Sequence, residues 1–363
     1  MESYKKLYPQ ICAFENLHLA FCKARRGKRK FEHVADFEYR LEENLIRLQE
    51  ELQSETYRPG PYRNFYIHEP KRRKISAAPF RDRVVHHALC NVIEPIFDSR
   101  FIYDSYACRK GKGTHRAIER CSHWVEHRRY FLKCDIKQFF PSVDHEVLYG
   151  LIARRIADPR VMRLVRLILK SGEGILASEY MMEWFPGDDL LTPLRPRGLP
   201  IGNLTSQFWG NVYLDGLDHF VKEDLRERYY LRYVDDFLVF GEDKDRLHEV
   251  KKEIEAFLGA RRMKFHPAKC YVAPCSQGAD FLGFRILPGH RRLRRENVKR
   301  FKRRLKKFQF LYRTGGMPIS KITESVRSWC AHAEHGDTYR LREAILSRAT
   351  FTRARDERIP ALC

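Results

Sequence analysis

The sequence contains no long uninterrupted run of apolar side chains. No stretch approaches the roughly 18 consecutive apolar residues that a membrane-spanning helix needs. The N-terminal segment mixes charges into its apolar positions and offers no small-residue cleavage site of the kind that follows a signal peptide. These absences predict a chain without a membrane partner, and we expect it to be cytoplasmic.

Paired metal-binding cysteines are also missing. The sequence has ten cysteines, but none forms a CxxC pair. Cys270 and Cys275 lie five positions apart without a second pair or a matching set of histidines. This pattern argues against a zinc site and predicts reduced thiols in the core. The sequence also lacks internal repeats and low-complexity tracts.

Positive charge, in contrast, is plentiful. Lys and Arg number 69 against 47 Asp and Glu, which gives a formal net charge of +22 over 363 residues. Such a surplus favours a polyanionic partner, because every neutralised phosphate releases condensed counterions. The alternative is a basic protein whose charge serves only solubility. Since 43% of the residues are hydrophobic, we expect a folded protein of two or three lobes.

The hydrophobic periodicity predicts alternating helices and strands. Expected helices cover residues 36–58, 81–97, 144–157, 160–171, 204–228 and 244–260. Expected strands cover residues 65–68, 74–77, 130–136, 264–273 and 280–287, the first two joined by a basic turn at 69–73. The Pro- and Gly-rich segment 173–200 has no clear period and is expected to be a long loop, either a lid or an insertion. After Gly289 the composition becomes strongly basic and predicts a helical lobe.

Two adjacent acids, Asp235 and Asp236, lie between two apolar, β-prone runs in YYLRYVDDFLVF. We expect a tight hairpin, because Asp tolerates the positive φ of two-residue turns. Neighbouring buried carboxylates repel each other unless a cation neutralises them, and Mg²⁺ prefers such oxygen ligands. Asp135 ends the strand YFLKCDI and could join them, with the backbone carbonyl of Ile136. The alternative is an ordinary exposed hairpin.

The order of several segments resembles the sequence blocks of reverse transcriptases over about residues 10–345. These segments are FYIHEPKRRKISAAPFRDRVV, SYACRKGKGTHRAI, KCDIKQFFPSVDH, RGLPIGNLTSQFWGNVYLD, YVDDFLVF, KFHPAKC and DFLGFRI. More narrowly, IGNLTSQ at 201–207 resembles the reverse transcriptases of diversity-generating retroelements. Most intron-encoded and retroviral-like relatives carry Gln before this Gly and Pro after the Ser.

The resemblance implies an α+β right-hand polymerase. It places an N-terminal extension and the fingers at 1–130. A palm with an antiparallel sheet follows at 131–290, interleaved with the fingers. A helical thumb and C-terminal tail occupy 291–363. Asp135, Asp235 and Asp236 would hold two Mg²⁺ ions, for which Mn²⁺ could substitute. The short remainder after the thumb predicts no RNase H or endonuclease domain.

The resemblance also implies roles for residues near the incoming nucleotide. Phe140 matches the aromatic steric gate that excludes a 2′-hydroxyl; alternatively it is a core ring beside Phe139. Three cations match positions near the triphosphate, with a solvated surface or a template contact as the alternative: Lys74, Arg109 and Lys269. The resemblance also implies that the base and sugar of the incoming nucleotide approach Ile201, Gly202 and Gln207 closely. The apolar Ile201 replaces Gln of related enzymes, which would loosen checking of the new base pair.

Several further cations are candidate contacts to nucleic acid. Those expected in the fingers are Arg72, Arg73 and Lys110. Those expected in the thumb are Arg294, Arg295, Lys302 and Arg303. The basic run from residue 291 predicts one amphipathic helix that packs through Leu293, Val298, Phe301, Leu305 and Phe308; a membrane-surface helix is its rival.

The implied function is synthesis of cDNA from dNTPs on a dedicated, structured template RNA. By resemblance, the product would be error-prone at adenines and would diversify a target gene. A small, basic, oligomeric accessory protein would be a partner. Three alternatives remain: a defence-associated reverse transcriptase that copies a non-coding RNA, an RNA-binding scaffold with an inactive polymerase fold, and an RNA-dependent RNA polymerase.

Overall fold

The computed structural model describes residues 3–68 and 72–353. Its strands are β1 Arg63–Ile67, β2 Arg73–Ala77, β3 Tyr130–Asp135, β4 Tyr230–Tyr233, β5 Asp236–Gly241, β6 Tyr271–Pro274, β7 Ala279–Phe281, β8 Phe284–Leu287 and β9 His290–Leu293. Its α-helices are α1 Tyr8–Cys12, α2 Phe14–Ala24, α3 Glu32–Tyr39, α4 Leu41–Gln53, α5 Phe80–Asp98, α6 Thr114–His127, α7 Phe139–Ser142, α8 His145–Ala153, α9 Pro159–Ser171, α10 Leu204–His219, α11 Lys244–Ala260, α12 Arg295–Arg313, α13 Ile319–Ala333 and α14 Tyr339–Leu346. Part of the predicted turn, 69–71, and the C-terminal tail from 354 lie outside the described residues.

The strands form three sheets. Strands β1 and β2 make an antiparallel pair, and β7, β8 and β9 make a three-stranded antiparallel sheet. The third sheet has the strand order β4-β5-β3-β6, in which β4 and β5 pair antiparallel. Helices and sheets are therefore mixed along the chain, and this part of the fold prediction is confirmed.

The chain divides into two compact units. Unit 1 consists of Met1–Gly113, Leu132–Val239 and Asp245–Tyr271, and unit 2 of Thr114–Phe131, Phe240–Lys244 and Val272–Cys363. The core of unit 1 contains the fully buried rings of Phe21, Trp209 and Tyr213. In unit 2 the rings of Phe301 and Trp329 stack with their centroids 3.8 Å apart. These units do not define fingers, palm or thumb, and the boundaries expected at 130 and 290 remain predictions.

Most predicted elements are present, because their apolar positions recur with the period of the element that forms. Helices α5, α9 and α11 and the β1–β2 hairpin all match. The 173–200 segment is irregular as expected and contains only two single-turn 3₁₀ helices, Ala177–Glu179 and Thr192–Leu194.

Several boundaries differ from the prediction. The strand expected over 280–287 is two strands, β7 and β8, which pair as a hairpin, and the helix expected over 144–157 ends at Ala153. The helix expected from residue 36 is two helices, α3 and α4, separated at Arg40, whose φ of −117° and ψ of 49° are not helical. The helix expected over 204–228 is shorter, because α10 ends at His219. One π-helical turn, Phe220–Asp224, follows it directly. The strand expected from 264 begins only at Tyr271. The basic run from 291 starts as β9, so Leu293 is a strand residue and α12 begins at Arg295.

No helix in the described ranges is both long enough and apolar enough to cross a bilayer.

Candidate active site

The two neighbouring acids lie at the tip of the β4–β5 hairpin. Tyr233 pairs with Asp236, so Val234 and Asp235 form a two-residue turn and Asp236 is the first residue of β5. The positive φ falls on Val234, at 57°, and not on an Asp as expected. Two-residue hairpin turns can place their positive φ at the first central position. A β-branched side chain there is an outlier, so the surrounding fold must stabilise the tip.

The end of β3 lies beside this tip. The backbone N–H of Ile136 donates a hydrogen bond to the carbonyl oxygen of Asp235 over 3.2 Å. On the other side, the carbonyl of Asp135 accepts from the N–H of His266 over 2.8 Å. Acids that are about a hundred positions apart in the sequence thus meet at one end of two neighbouring strands.

Two of the three carboxylates accept hydrogen bonds from lysines. The Nζ of Lys269 lies 2.8 Å from both carboxylate oxygens of Asp135. The Nζ of Lys133, a side chain that is almost fully buried, lies 2.5 Å from Oδ1 of Asp236. The sequence analysis found Lys269 but missed Lys133, which precedes Asp135 by two positions and therefore points to the same face of β3.

Burial and crowded negative charge disfavour ionisation at the tip. Burial, followed by the charge of Asp135, raises the pKa of Asp235 to about 6. Burial also raises the pKa of Asp236, and the Lys133 ammonium opposes that rise. A divalent cation would relieve this repulsion, and the carboxylate oxygens are ligands that suit Mg²⁺. In the described part of the chain no three His, Cys, Asp or Glu side chains converge as a ready metal site. Because Lys269 already pairs with Asp135, a metal ion that binds this carboxylate would compete with the lysine.

Phe139 and Phe140 occupy different environments on the short helix α7. Phe139 is buried, whereas Phe140 is half-buried, and their ring centroids lie 5.2 Å apart. The carbonyl of Phe140 accepts a hydrogen bond from the N–H of Leu199 over 2.9 Å. The core ring of this pair is therefore Phe139, and Phe140 remains the candidate gate.

The segment at Gly202 approaches β2 closely. Gly202 has a φ of 116°, and a Cβ there would lie 2.9 Å from Cγ2 of Ile75. The carbonyl of Ile201 accepts from the N–H of Ser76 over 2.8 Å. Asn203 strengthens the junction, since its Nδ2 donates to the Ser76 carbonyl over 2.8 Å. The sequence analysis missed Asn203, because its side chain makes no capping hydrogen bond to α10 and bonds instead to β2, which is remote in the sequence. Gln207 is exposed on the first turn of α10.

Lys74 and Arg109 make contacts within the protein. The Nζ of Lys74 donates to the carbonyl of Ile175 over 2.8 Å. The Arg109 side chain is only 9% exposed, and its guanidinium donates to Asp98 over 2.6 Å and to the carbonyl of Ile102 over 2.7 Å. Arg109 therefore stabilises its own loop, a role that neither sequence-based alternative anticipated. The three cations expected to contact nucleic acid in this part of the chain, Arg72, Arg73 and Lys110, are exposed.

A cavity of about 960 Å³ in unit 1 extends to Gly202. Aromatic rings line it, and two of them are also accessible to solvent: Phe31 is 55% and Phe65 is 45% exposed. Its cations include Lys28, Arg63 and Arg83. Sequence analysis missed this cavity, because its lining residues come from several separate stretches of the chain.

A second cavity of about 210 Å³ lies next to Gly202 and Gln207. His86 and His87 line it, and within the described residues Nδ1 of His86 has no hydrogen-bond partner. Burial lowers the pKa of His86 to about 3 and that of His87 to about 4. Both imidazoles are therefore neutral at physiological pH.

Helix α12 of unit 2 carries cations on one face and apolar side chains on the other. Phe301, Leu305 and Phe308 are buried as predicted. None of the exposed cations of α12 contacts a carboxylate in the part of the chain that the structure describes. These cations are Arg295, Lys299, Lys302, Arg303, Lys306, Lys307 and Arg313. Arg294, just before the helix, lies 3.8 Å from Asp280 and 3.7 Å from Glu296. The face is suited to a polyanion.

Comparison with known proteins gives consistent matches. The model of the family described as reverse transcriptase (RNA-dependent DNA polymerase) matches residues 67–286, which include all three acids. Protein YkfC of Escherichia coli is 27% identical over 288 residues, 68% of this chain and 72% of YkfC. Group II intron-encoded protein LtrA of Lactococcus lactis is 29% identical over 183 residues, 50% of this chain but only 28% of LtrA. Nuclear intron maturase 2 of Arabidopsis thaliana is 26% identical over 143 residues, 35% of this chain and 20% of the maturase.

Proposed function

Because this chain belongs to the reverse transcriptase family, the RNA-dependent DNA polymerases, we propose that Asp135, Asp235 and Asp236 form its catalytic centre. The observation that carries this proposal is the hydrogen bond between Ile136 and Asp235, which joins the ends of the strands that bear the acids. The enzyme would add deoxynucleotides to a primer 3′-hydroxyl on an RNA template.

The environments of the acids divide their roles. Asp135 and Asp235 would be the principal ligands of two Mg²⁺ ions, with the carbonyl of Ile136 beside them. Asp236 would be more peripheral, since Lys133 already neutralises it. Bound Mg²⁺ would lower the pKa of the primer hydroxyl and neutralise charge on the leaving pyrophosphate. Lys269, which now pairs with Asp135, would be free to donate a proton to pyrophosphate once that carboxylate is otherwise neutralised.

The surfaces of the two units support binding of a long polyanion. In unit 1, the cavity at Gly202 combines solvent-accessible rings with cations, a combination that binds single-stranded nucleic acid by stacking and charge. In unit 2, the exposed cations of α12 would follow the backbone of the template–product duplex. In a right-hand layout these regions correspond to fingers and thumb, with the catalytic carboxylates in the palm.

We further propose that the enzyme copies a dedicated, structured RNA of a diversity-generating retroelement. This subtype rests on the residues IGNLTSQ, in which Ile201 brings an apolar side chain beside Gly202. Without a hydrogen-bonding side chain at this position, a mispaired template adenine would meet less resistance. The same proposal includes a small, basic, oligomeric accessory protein as a partner.

The catalytic proposal is tested by Asp235→Asn in a primer-extension assay with an RNA template, labelled dNTPs and Mg²⁺. We expect a loss of at least about 10³-fold in kcat, since a metal ligand is removed, with RNA binding unchanged. Asp224→Asn, which changes an exposed acid after α10, is the matched control and should extend normally. Normal extension by Asp235→Asn would refute the proposed centre.

The subtype is tested by sequencing the cDNA product. We expect errors concentrated at template adenines, and Ile201→Gln should reduce them. An ordinary error rate at adenines, with and without the accessory protein, would contradict the subtype while leaving the polymerase assignment intact.

A further inference from the structure

The catalytic loop, residues 136–140, is fastened to the 173–200 segment through Gln138. This residue has a left-handed backbone, with φ 47° and ψ 46°. Its Nε2 donates to the carbonyl of Glu179 over 2.7 Å, and its Oε1 accepts from the N–H of Met181 over 3.1 Å. The side-chain amide of Gln138 therefore pairs with the segment's backbone through one donor and one acceptor.

Glu183, which follows the segment's first 3₁₀ turn, Ala177–Glu179, makes a second set of contacts with the catalytic loop. Its carboxylate accepts from Lys137 in the catalytic loop and from Lys264 over 2.7 Å. Hydrogen bonds from Lys137 and Lys264 lower the pKa of Glu183, so the carboxylate is ionised at neutral pH. The N–H of Lys137 also donates to the carbonyl of Lys264 over 2.8 Å. One carboxylate thus links two stretches that border Asp135.

The C-terminal end of the 173–200 segment runs beside residues 140–143, at the end of the catalytic loop. The N–H of Leu199 donates to the Phe140 carbonyl over 2.9 Å, and the N–H of Gly198 donates to the Val143 carbonyl over 2.8 Å. The catalytic loop is consequently fixed before and after Phe140. All these residues belong to unit 1.

We propose that the 173–200 segment positions the catalytic loop, and that Gln138 and Glu183 are positioning residues that set how strictly the enzyme selects the sugar of the incoming nucleotide. The proposal rests on the proposed function and on the role expected for Phe140, the ring that would exclude a 2′-hydroxyl from the sugar of the incoming nucleotide. A ring can exclude a 2′-hydroxyl only if its backbone is rigid, and displacements of about 1 Å near a reacting group can cost about 100-fold in rate. The 173–200 segment would act through the catalytic loop and would not need to touch the substrate itself.

The experiment measures primer extension with each dNTP and with the corresponding ribonucleotide, for Gln138→Ala and Glu183→Gln. Each variant should lower kcat/KM for dNTPs by about 10- to 100-fold. Most of the loss should lie in KM, and discrimination against ribonucleotides should weaken about tenfold. The double variant should lose less than the product of the single losses, because both residues act on one loop. A purely structural role would lower the melting temperature without changing the sugar preference.

Glu173→Gln removes an exposed acid from the same segment and is the matched control, with unchanged kinetics expected. If Gln138→Ala fails to fold, the near-isosteric Gln138→Glu replaces it, since Glu can accept from Met181 but, when ionised, cannot donate to the Glu179 carbonyl. The proposal is wrong if folded variants keep both kcat/KM and sugar discrimination within about twofold of the parent enzyme. Activity in Asp235→Asn would instead refute the proposed catalytic centre, so the two failures are distinguishable.

Discussion

The proposed catalytic centre of unit 1 and helix α12 of unit 2 use positive charge in opposite ways. At the catalytic centre, Lys269 and Lys133 contact carboxylates of the same chain. On α12, the exposed cations contact no carboxylate of the described residues. Charges that are compensated within the fold fix the geometry of a site, whereas charges left to solvent provide affinity for a partner. The surplus of +22 therefore bears on the proposed binding of a polyanion and says little about the proposed catalytic centre.

Charge compensation also occurs in the core beneath the β4–β5 hairpin. Arg232 and Asp218 are both fully buried, with Nη2 of Arg232 2.6 Å from Oδ2 of Asp218 and Nε 2.7 Å from Oδ1. Arg232 also donates to the carbonyl of Val234 in the turn over 3.1 Å. One guanidinium thus joins the helix α10 to the tip that presents Asp235.

The largest expected effect on stability comes from breaking this buried pair. Arg232→Met should lower the free energy of unfolding by about 3–5 kcal/mol, because Asp218 would remain buried without its cation. Urea unfolding followed by circular dichroism measures the loss. Arg47→Met, which breaks the exposed pair with Glu43, should cost less than about 1 kcal/mol. Equal losses in both variants would remove the contrast between internal and solvent-facing charge.

The next effect concerns α12. The triple variant Lys299→Gln, Lys302→Gln and Lys306→Gln should weaken RNA binding by about 100-fold and reduce the salt slope by about 2, or about 0.7 for each lost phosphate contact. Binding titrations at several KCl concentrations measure both quantities. The control variant Lys321→Gln, Arg327→Gln and Arg340→Gln removes three exposed cations from α13 and α14 of the same unit. If both triple variants bind equally well, net charge and not the α12 face determines affinity.

The smallest effect is a pH dependence at His86. Its pKa is lowered to about 3 in the folded protein, so between that value and its ordinary pKa of about 6.5 only the unfolded chain takes up the proton. Stability should therefore fall as pH decreases below about 6.5, by about 2 kcal/mol at pH 5 from this residue. His86→Gln should flatten the curve of melting temperature between pH 7 and pH 5. An unchanged curve would show that His86 does not contribute.

Sequence analysis predicted what depends on local patterns. The β1–β2 hairpin, helices α5, α9 and α11, and the strand that ends in Asp135 follow from hydrophobic periods that short stretches contain. The hairpin, helices and strand require no knowledge of distant contacts. The expectation that Asp135 lies near the β4–β5 turn did require one, namely that the strand and the hairpin pair, and the hydrogen bond from Ile136 to Asp235 joins these two stretches.

The remainder depends on partners that lie outside the local hydrophobic pattern. Arg109 donates to Asp98 at the end of α5, and Lys74 donates to Ile175 about a hundred positions away. A basic residue in the sequence carries no sign of whether the folded chain will supply its acceptor. Strand β9 was missed for a different reason, because its basic residues fit a helix equally well unless the tight hairpin with the preceding strand β8 is recognised.

The backbone conformation of Val234 has a consequence for attempts to raise the thermal stability of the protein. Its left-handed backbone costs on the order of 1–3 kcal/mol for a residue with a branched Cβ. A glycine would adopt this conformation without steric cost, so Val234→Gly is an obvious candidate for improved thermal tolerance. The same change would give the tip new rotational freedom directly beside Asp235. Resistance to heat and speed of turnover therefore conflict at this residue, and a screen for one property would select against the other.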